Sequence, residues 1–231
     1  MKKVLLATVS VLALGDTAAV AAPPTPMTWT GFYVGAQGGF AANRGSFTPL
    51  GPDIPDSLVL GQSYTANRTG ATLGVLGGYN YQMANYVFGV EGDWNWVGAK
   101  ASSVISGGGP ATTIGFDVRW LATVRGRLGF TTGATLFYVT GGVAFADVNN
   151  SSFSLIPGGT NTDIVDNTTR VGWTVGGGIE YMFAPHWTAR VEGRYIDLGN
   201  HSLTYANGAG TYRGEFRNSL VTGTVGLAYK F

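Results

Sequence analysis

Residues 116–130 read FDVRWLATVRGRLGF, and their charges keep strict step. Asp117, Arg119, Arg125 and Arg127 occupy odd positions; Phe116, Val118, Trp120, Ala122, Val124, Leu128 and Phe130 occupy even ones. A period of two is the signature of a strand, whose successive side chains point to opposite faces, and it does not fit the 3.6-residue period of a helix. One face of this strand is apolar and aromatic, and the other carries three arginines and an aspartate. The chain must fold so that each face meets a medium that suits it.

The same alternation recurs in eight segments, at about 30–40, 70–82, 86–98, 114–130, 135–147, 169–182, 187–199 and 214–231. Their connections alternate in length. Gln82–Asn85, Thr131–Thr135 and Met182–His186 are hairpin-sized. The stretches 41–69, 99–113, 148–168 and 200–213 are longer and rich in Gly, Pro, Ser, Thr and Asn. An even strand number with long loops at one end and short turns at the other is the pattern of a transmembrane β-barrel. The expected fold is therefore all-β: an eight-stranded antiparallel transmembrane β-barrel with four long extracellular loops and three short periplasmic turns. Beyond the alternation, the hairpin units share no evident residues.

Aromatic placement decides which face is outside. On the apolar face Tyr79, Tyr81, Tyr86, Phe88, Phe130, Tyr181 and Trp187 lie beside the short turns, with Tyr229 and Phe231 at the chain end. A second set, Phe40, Trp94, Trp96, Trp120, Trp173 and Tyr195, lies towards the long connections. The sets stand 8–10 residues apart along a strand, or roughly 19–23 Å along a barrel axis at a 45° tilt. That matches a lipid-facing band of about 25 Å bordered by two aromatic girdles. Trp and Tyr rings settle at headgroup level because one end is apolar and the other polar. A soluble barrel has no reason to carry two such belts.

The charged faces then line the lumen. They collect Glu91, Asp93, Asp117, Glu180 and Glu192 against Arg119, Arg125, Arg127, Arg190 and Arg194, five acids and five bases. Equal numbers are what a narrow interior demands, since an unpaired buried ion is costly.

The N-terminus sets the compartment. Lys2 and Lys3 precede an apolar run, Val4–Leu14, and small residues follow at Ala19–Ala22. This reads as a signal peptide over 1–21, cleaved after Ala21 or Ala22, then a short periplasmic leader over 22–29 and the barrel over 30–231. The chain has no Cys, which excludes disulfides, thiolate metal sites and cysteine nucleophiles. Its formal net charge of +1 implies no nucleic-acid partner.

Three stretches carry a resemblance. Trp29-Thr30-Gly31-Phe32-Tyr33-Val34-Gly35 opens the first strand, Gly141-Gly142-Val143-Ala144-Phe145 sits in the fifth, and Gly226-Leu227-Ala228-Tyr229-Lys230-Phe231 ends the chain. Together they resemble the small outer-membrane β-barrel proteins of alphaproteobacteria, the porin-family or outer-membrane immunogenic protein-like group. The resemblance implies a barrel in the bacterial outer membrane, its loops facing the exterior and its termini periplasmic. It also implies an assembly signal in the last strand, with Val225, Leu227, Tyr229 and Phe231 on one face, read by the outer-membrane assembly machinery. Some relatives bind haemin, but no residue pattern here carries that over.

The functional expectation is a surface-exposed structural barrel with a charge-filled lumen, interacting through its extracellular loops. The alternative is a narrow porin passing ions or small solutes. Eight strands enclose a space that side chains just fill, which favours the first. No enzyme is expected: His186 lies in a short turn, and His201 beside Ser202 has no oriented partner. Asp53, Asp56, Asp163 and Asp166 are isolated carboxylates, so no metal or other cofactor is expected. Expected partners are outer-membrane lipid, lipopolysaccharide, the assembly machinery and a host or surface ligand met through the loops.

Overall fold

The computed structural model describes residues 27–50, 59–105, 112–154, 162–207 and 210–231. Among them are eight strands and no helix: β1 (Gly31–Pro49), β2 (Tyr64–Met83), β3 (Tyr86–Ile105), β4 (Thr112–Thr132), β5 (Thr135–Ser154), β6 (Thr162–Ala184), β7 (Trp187–Asn207) and β8 (Gly210–Lys230). Each strand pairs antiparallel with its sequence neighbours, and β1 pairs with β8 to close the barrel. Closure leaves no strand edge unpaired, the condition for crossing a bilayer with strands. The expected signal peptide and residues 22–26 of the leader lie outside the described residues, as do Asp53 and Asp56.

Three two-residue turns join β2 to β3, β4 to β5 and β6 to β7 at one end. Turns this tight favour positive φ, and two of the three use it. Gly133 supplies it at 61°, and Ala84 adopts 54° despite its Cβ.

The other end departs from expectation. Most of 41–69, 99–113, 148–168 and 200–213 is strand rather than loop, and only 50–63, 106–111, 155–161 and 208–209 separate the strands there. Asp163 and Asp166 accordingly fall in β6. At 19–23 residues, the strands span roughly 44–54 Å along the axis, about twice the apolar band. The apolar alternation marks the lipid band; the hydrogen-bond ladder continues past it, carried by Ser, Thr and Asn that need no lipid partner.

Register shifts cluster where the band ends. Three lie towards the long-strand end, between Trp96 and Ala99 in β3, between Val118 and Trp120 in β4, and between Asp197 and Asn200 in β7, and a fourth lies between Met182 and Ala184 in β6 beside a short turn. A bulge inserts a residue and reverses which side faces inward.

The lumen is filled in three layers. At the short-turn end Trp29, Val87, Leu136, Tyr138 and Met182 pack together. Trp29 precedes β1 and is 1% exposed; its backbone N–H donates to Gln82 Oε1 at 2.8 Å. The last residues of the expected leader thus enter the barrel. The middle layer holds the charges. Towards the long-strand end Ala41, Val97, Val118, Leu121, Ala144, Ala146, Val148, Ile196, Leu198 and Leu220 form an apolar layer above them.

Candidate functional site: the charged lumen layer

The middle layer brings together Glu91 and Asp93 of β3, Arg125 and Arg127 of β4, Glu180 of β6, and Arg190, Glu192 and Arg194 of β7. All eight are buried. Four acids face four arginines, so the layer is neutral.

Arg125 is the hub. Its Nη1 donates to Glu192 Oε1 at 2.8 Å, and its Nη2 donates to Asp93 Oδ2 at 3.0 Å and to Glu91. Arg190 grips Glu91 with both nitrogens, at 2.5 and 3.2 Å, and reaches Gln37 Oε1 at 3.0 Å. Arg194 Nη1 donates to both oxygens of Asp93 at 3.0 Å, and its Nε stands 3.2 Å from Glu192. Arg127 pairs with Glu180. Asn95 and Thr123 also donate to Asp93, and Gln37 Nε2 donates to Asn95 Oδ1 at 2.7 Å.

Two tyrosines complete the layer in the same way. Tyr33 of β1 crosses Gly78 of β2 and donates its hydroxyl to Glu91 Oε2 at 2.8 Å. Tyr138 of β5 crosses Gly178 of β6 and donates to Glu192 Oε2 at 2.8 Å. Glycine is required beneath each ring: a Cβ on Gly78 would stand 2.5 Å from the Tyr33 hydroxyl, and one on Gly178 2.7 Å from that of Tyr138. The Arg127 guanidinium lies 3.7 Å over the Tyr138 ring, and 6.0 Å from that of Tyr33.

This clasp exposes a repeat that the sequence reading missed. Phe32-Tyr33-Val34 matches Phe137-Tyr138-Val139, Gly77-Gly78 matches Gly177-Gly178, and Val90-Glu91-Gly92 matches Val191-Glu192-Gly193. The matches become visible once each clasp's three strands are laid side by side. Sequence reasoning also missed Trp29, Gln37, Asn95, Thr123 and both tyrosines as lumen residues. The usable signal was parity: Tyr33 and Tyr138 each sit between two outward apolar residues.

Two expected lumen charges lie elsewhere. Arg119 is 52% exposed at its side chain and pairs with Asp147 at 2.9 Å. The bulge after Val118 turns Val118 inward and Arg119 outward, so even spacing from Arg125 does not survive it. Asp117, half-buried on the same side of the strand as Arg119, stands outside the network.

The apolar face is turned outward along all eight strands. Tyr81, Tyr86, Phe88, Phe130, Tyr181 and Trp187 are exposed near the short turns, as are Trp94, Trp96 and Trp173 towards the other end. Tyr79, Trp120 and Tyr195 are half-covered, Tyr79 by Phe32 and Tyr195 by Trp173. Val225, Leu227 and Phe231 of the last-strand pattern are exposed on this face; Tyr229 is partly covered by His186, Trp187 and Phe231. A closed barrel with an apolar outside and a charged inside belongs in a membrane.

Comparison with known proteins agrees. Residues 5–231 match the family model described as outer membrane protein beta-barrel domain. The chain belongs to this family. It is 33% identical over 249 residues to the 31 kDa outer-membrane immunogenic protein of Brucella melitensis, covering all of both chains. It is also 33% identical to the 22 kDa outer membrane protein of Rhizobium leguminosarum bv. viciae, over 91% of this chain and 82% of that one. The barrel is thus a small alphaproteobacterial-type outer-membrane protein, and it resides in the bacterial outer membrane among lipid and lipopolysaccharide. Among solved structures its fold resembles the outer membrane protease OmpT of Escherichia coli (TM-score 0.52, 11% identity, 88% of this chain and 98% of that one). It likewise resembles OprG of Pseudomonas aeruginosa (TM-score 0.51, 15% identity, 87% and 96%).

Proposed function

We propose that the protein is a surface-exposed structural barrel whose lumen is closed and whose interactions are made by the segments beyond the outer girdle. The observation that carries this is the layering of the lumen. An ion following the axis would meet the Trp29 layer, then four acids paired with four arginines, then the apolar layer around Leu121, Ile196 and Leu220. Breaking a buried pair by removing or displacing one partner costs about 3–5 kcal/mol, so the charges favour staying paired over serving a passing ion. In this reading the short turns and termini are periplasmic, the strand extensions face outside, and the outward row Val225, Leu227, Tyr229 and Phe231 is what the assembly machinery recognises. The barrel has no catalytic role. His186 Nδ1 is engaged with the Lys230 carbonyl at 2.8 Å, and its ring stacks on Tyr229.

Vesicles containing the purified protein test closure: they should swell no faster than empty ones in small sugars or salts. Swelling that slows with solute size would replace this reading with a narrow porin. Orientation is testable because the chain has no cysteine of its own. Leu60→Cys should react with an impermeant maleimide on intact cells, and Asn85→Cys only after permeabilisation; the reverse would overturn the orientation.

A further inference from the structure

Beyond the outer girdle, the outward surface at the β8–β1 seam changes from apolar to basic. Phe40, at the outer girdle, pairs across the seam with Gly223, and Ala42 just beyond it with Val221. The next outward positions are Arg44, paired with Ser219, and Arg217, paired with Ser46. The two arginines are therefore diagonal neighbours across the seam, at roughly 7–8 Å. Arg44 is exposed, and the Arg217 side chain is 58% exposed. Arg217 is also held from one side: Asp197 Oδ2 accepts from its Nη2 at 3.1 Å, and Asp197 is itself fixed by the Gly199 N–H at 2.8 Å. Further along β8 stand Glu215, whose carboxylate also acts on Arg217, and Arg213.

We propose that Arg44 and Arg217 form a phosphate-gripping site for the lipopolysaccharide of the outer leaflet, with Ser46, Ser219 and Asn67 beside them to meet its sugar hydroxyls. Height supports this ligand. Arg44 is four residues beyond Phe40, about 9 Å along the axis, which long arginine side chains can cover to reach the headgroup layer. Chemistry supports it too: two guanidinium groups flanking one anion give charge-assisted, bidentate recognition. The site is also distinct from the other outward arginine at this level, since Arg119 is matched by Asp147. The lipopolysaccharide source rests on the orientation proposed above.

The test is titration of fluorescent lipid A with the protein purified from outer membranes in detergent. Wild type should bind phosphorylated lipid A at least about tenfold more tightly than phosphate-stripped lipid A. Arg44→Gln alone should lose most of that discrimination, and the Arg44→Gln/Arg217→Gln double variant all of it. Arg119→Gln should bind as wild type. Equal binding of the two lipids, or unaltered discrimination in Arg44→Gln, would overturn the site. Displacement by inorganic phosphate or by phosphatidylglycerol at equal phosphate would show a general anion site and overturn the lipopolysaccharide assignment. Failure of Leu60→Cys labelling on intact cells would remove the orientation, and with it this lipid source, without altering the titration.

Discussion

Strands β1–β3 and β5–β7 build the same clasp, a tyrosine crossing a glycine to reach a glutamate, yet they surround it with different charges: the first adds Asp93, the second Glu180, Arg190 and Arg194. Aligned on their Val-Glu-Gly triplets, Gly89 and Asp93 of β3 correspond to Arg190 and Arg194 of β7. In the ladder Arg125 and Arg127 of β4 face Glu91 and Gly89, and their counterparts in β8, facing Glu192 and Arg190, are Thr224 and Gly226. Ion pairs form within each half, as Arg125 with Glu91 and Asp93 and Arg194 with Glu192, and they also cross between halves. Arg190 and Arg194 of the second half bind Glu91 and Asp93 of the first, and Arg125 of the first binds Glu192 of the second. The small residues of β8 leave room for the arginine stem: Gly226 lies beside the Arg190 side chain, where a Cβ would meet its Cγ at 3.4 Å. A symmetric scaffold with unequally placed charges, two acids and two arginines in each half, ties the halves together through the pairs that cross the lumen.

The largest expected break in this arrangement is Arg125→Ala. It leaves Glu91, Asp93 and Glu192 short of one shared partner and should lower the unfolding free energy by about 3–5 kcal/mol. Urea unfolding followed by tryptophan fluorescence reads this, and an unchanged midpoint would mean that the halves are not joined through Arg125.

Next come Tyr33→Phe and Tyr138→Phe. Each removes one hydroxyl bonded to a carboxylate, worth about 1.5–3 kcal/mol. Because the ring survives, the two losses should be similar. Replacement by Leu separates them: Tyr138→Leu also removes the ring under Arg127 and should cost about 1–2 kcal/mol more than Tyr33→Leu. Equal costs for the Leu pair would deny the stacking any role in the difference between halves.

The smallest effect is expected in the turns. The first half's Ala84 holds a φ of 54°, unfavourable for a residue with a Cβ, where the second half has Pro185 in the matching position. Ala84→Gly should stabilise by about 1 kcal/mol, seen as a higher midpoint in the same unfolding experiment. A lower midpoint would show that the Ala84 methyl makes up for its backbone.

The barrel, its strand number and its outward face were legible because alternation and girdles are local, periodic signals. Strand ends were not, since apolar alternation stops where lipid stops and not where pairing stops. Arg119 was misplaced because a bulge leaves no mark in an alternating pattern. Eight of the ten residues read as lumen charges do share one buried layer, but which acid meets which arginine depends on β3, β4 and β7 facing one another across a closed barrel. Tyr33, Tyr138 and Trp29 escaped because aromatic residues in a membrane barrel are first read as girdle, and only their parity, or in the case of Trp29 a place before the first strand, sets them inside.

Single-channel recording of the purified protein in a planar bilayer tests the central claim, that a cross-lumen network between two apolar layers closes the barrel. The expected record is a quiet baseline in wild type across salt concentrations, with rare brief openings that become more frequent in Arg125→Ala. A steady wild-type conductance that rises with salt would show that ions pass the charged layer, and would contradict closure.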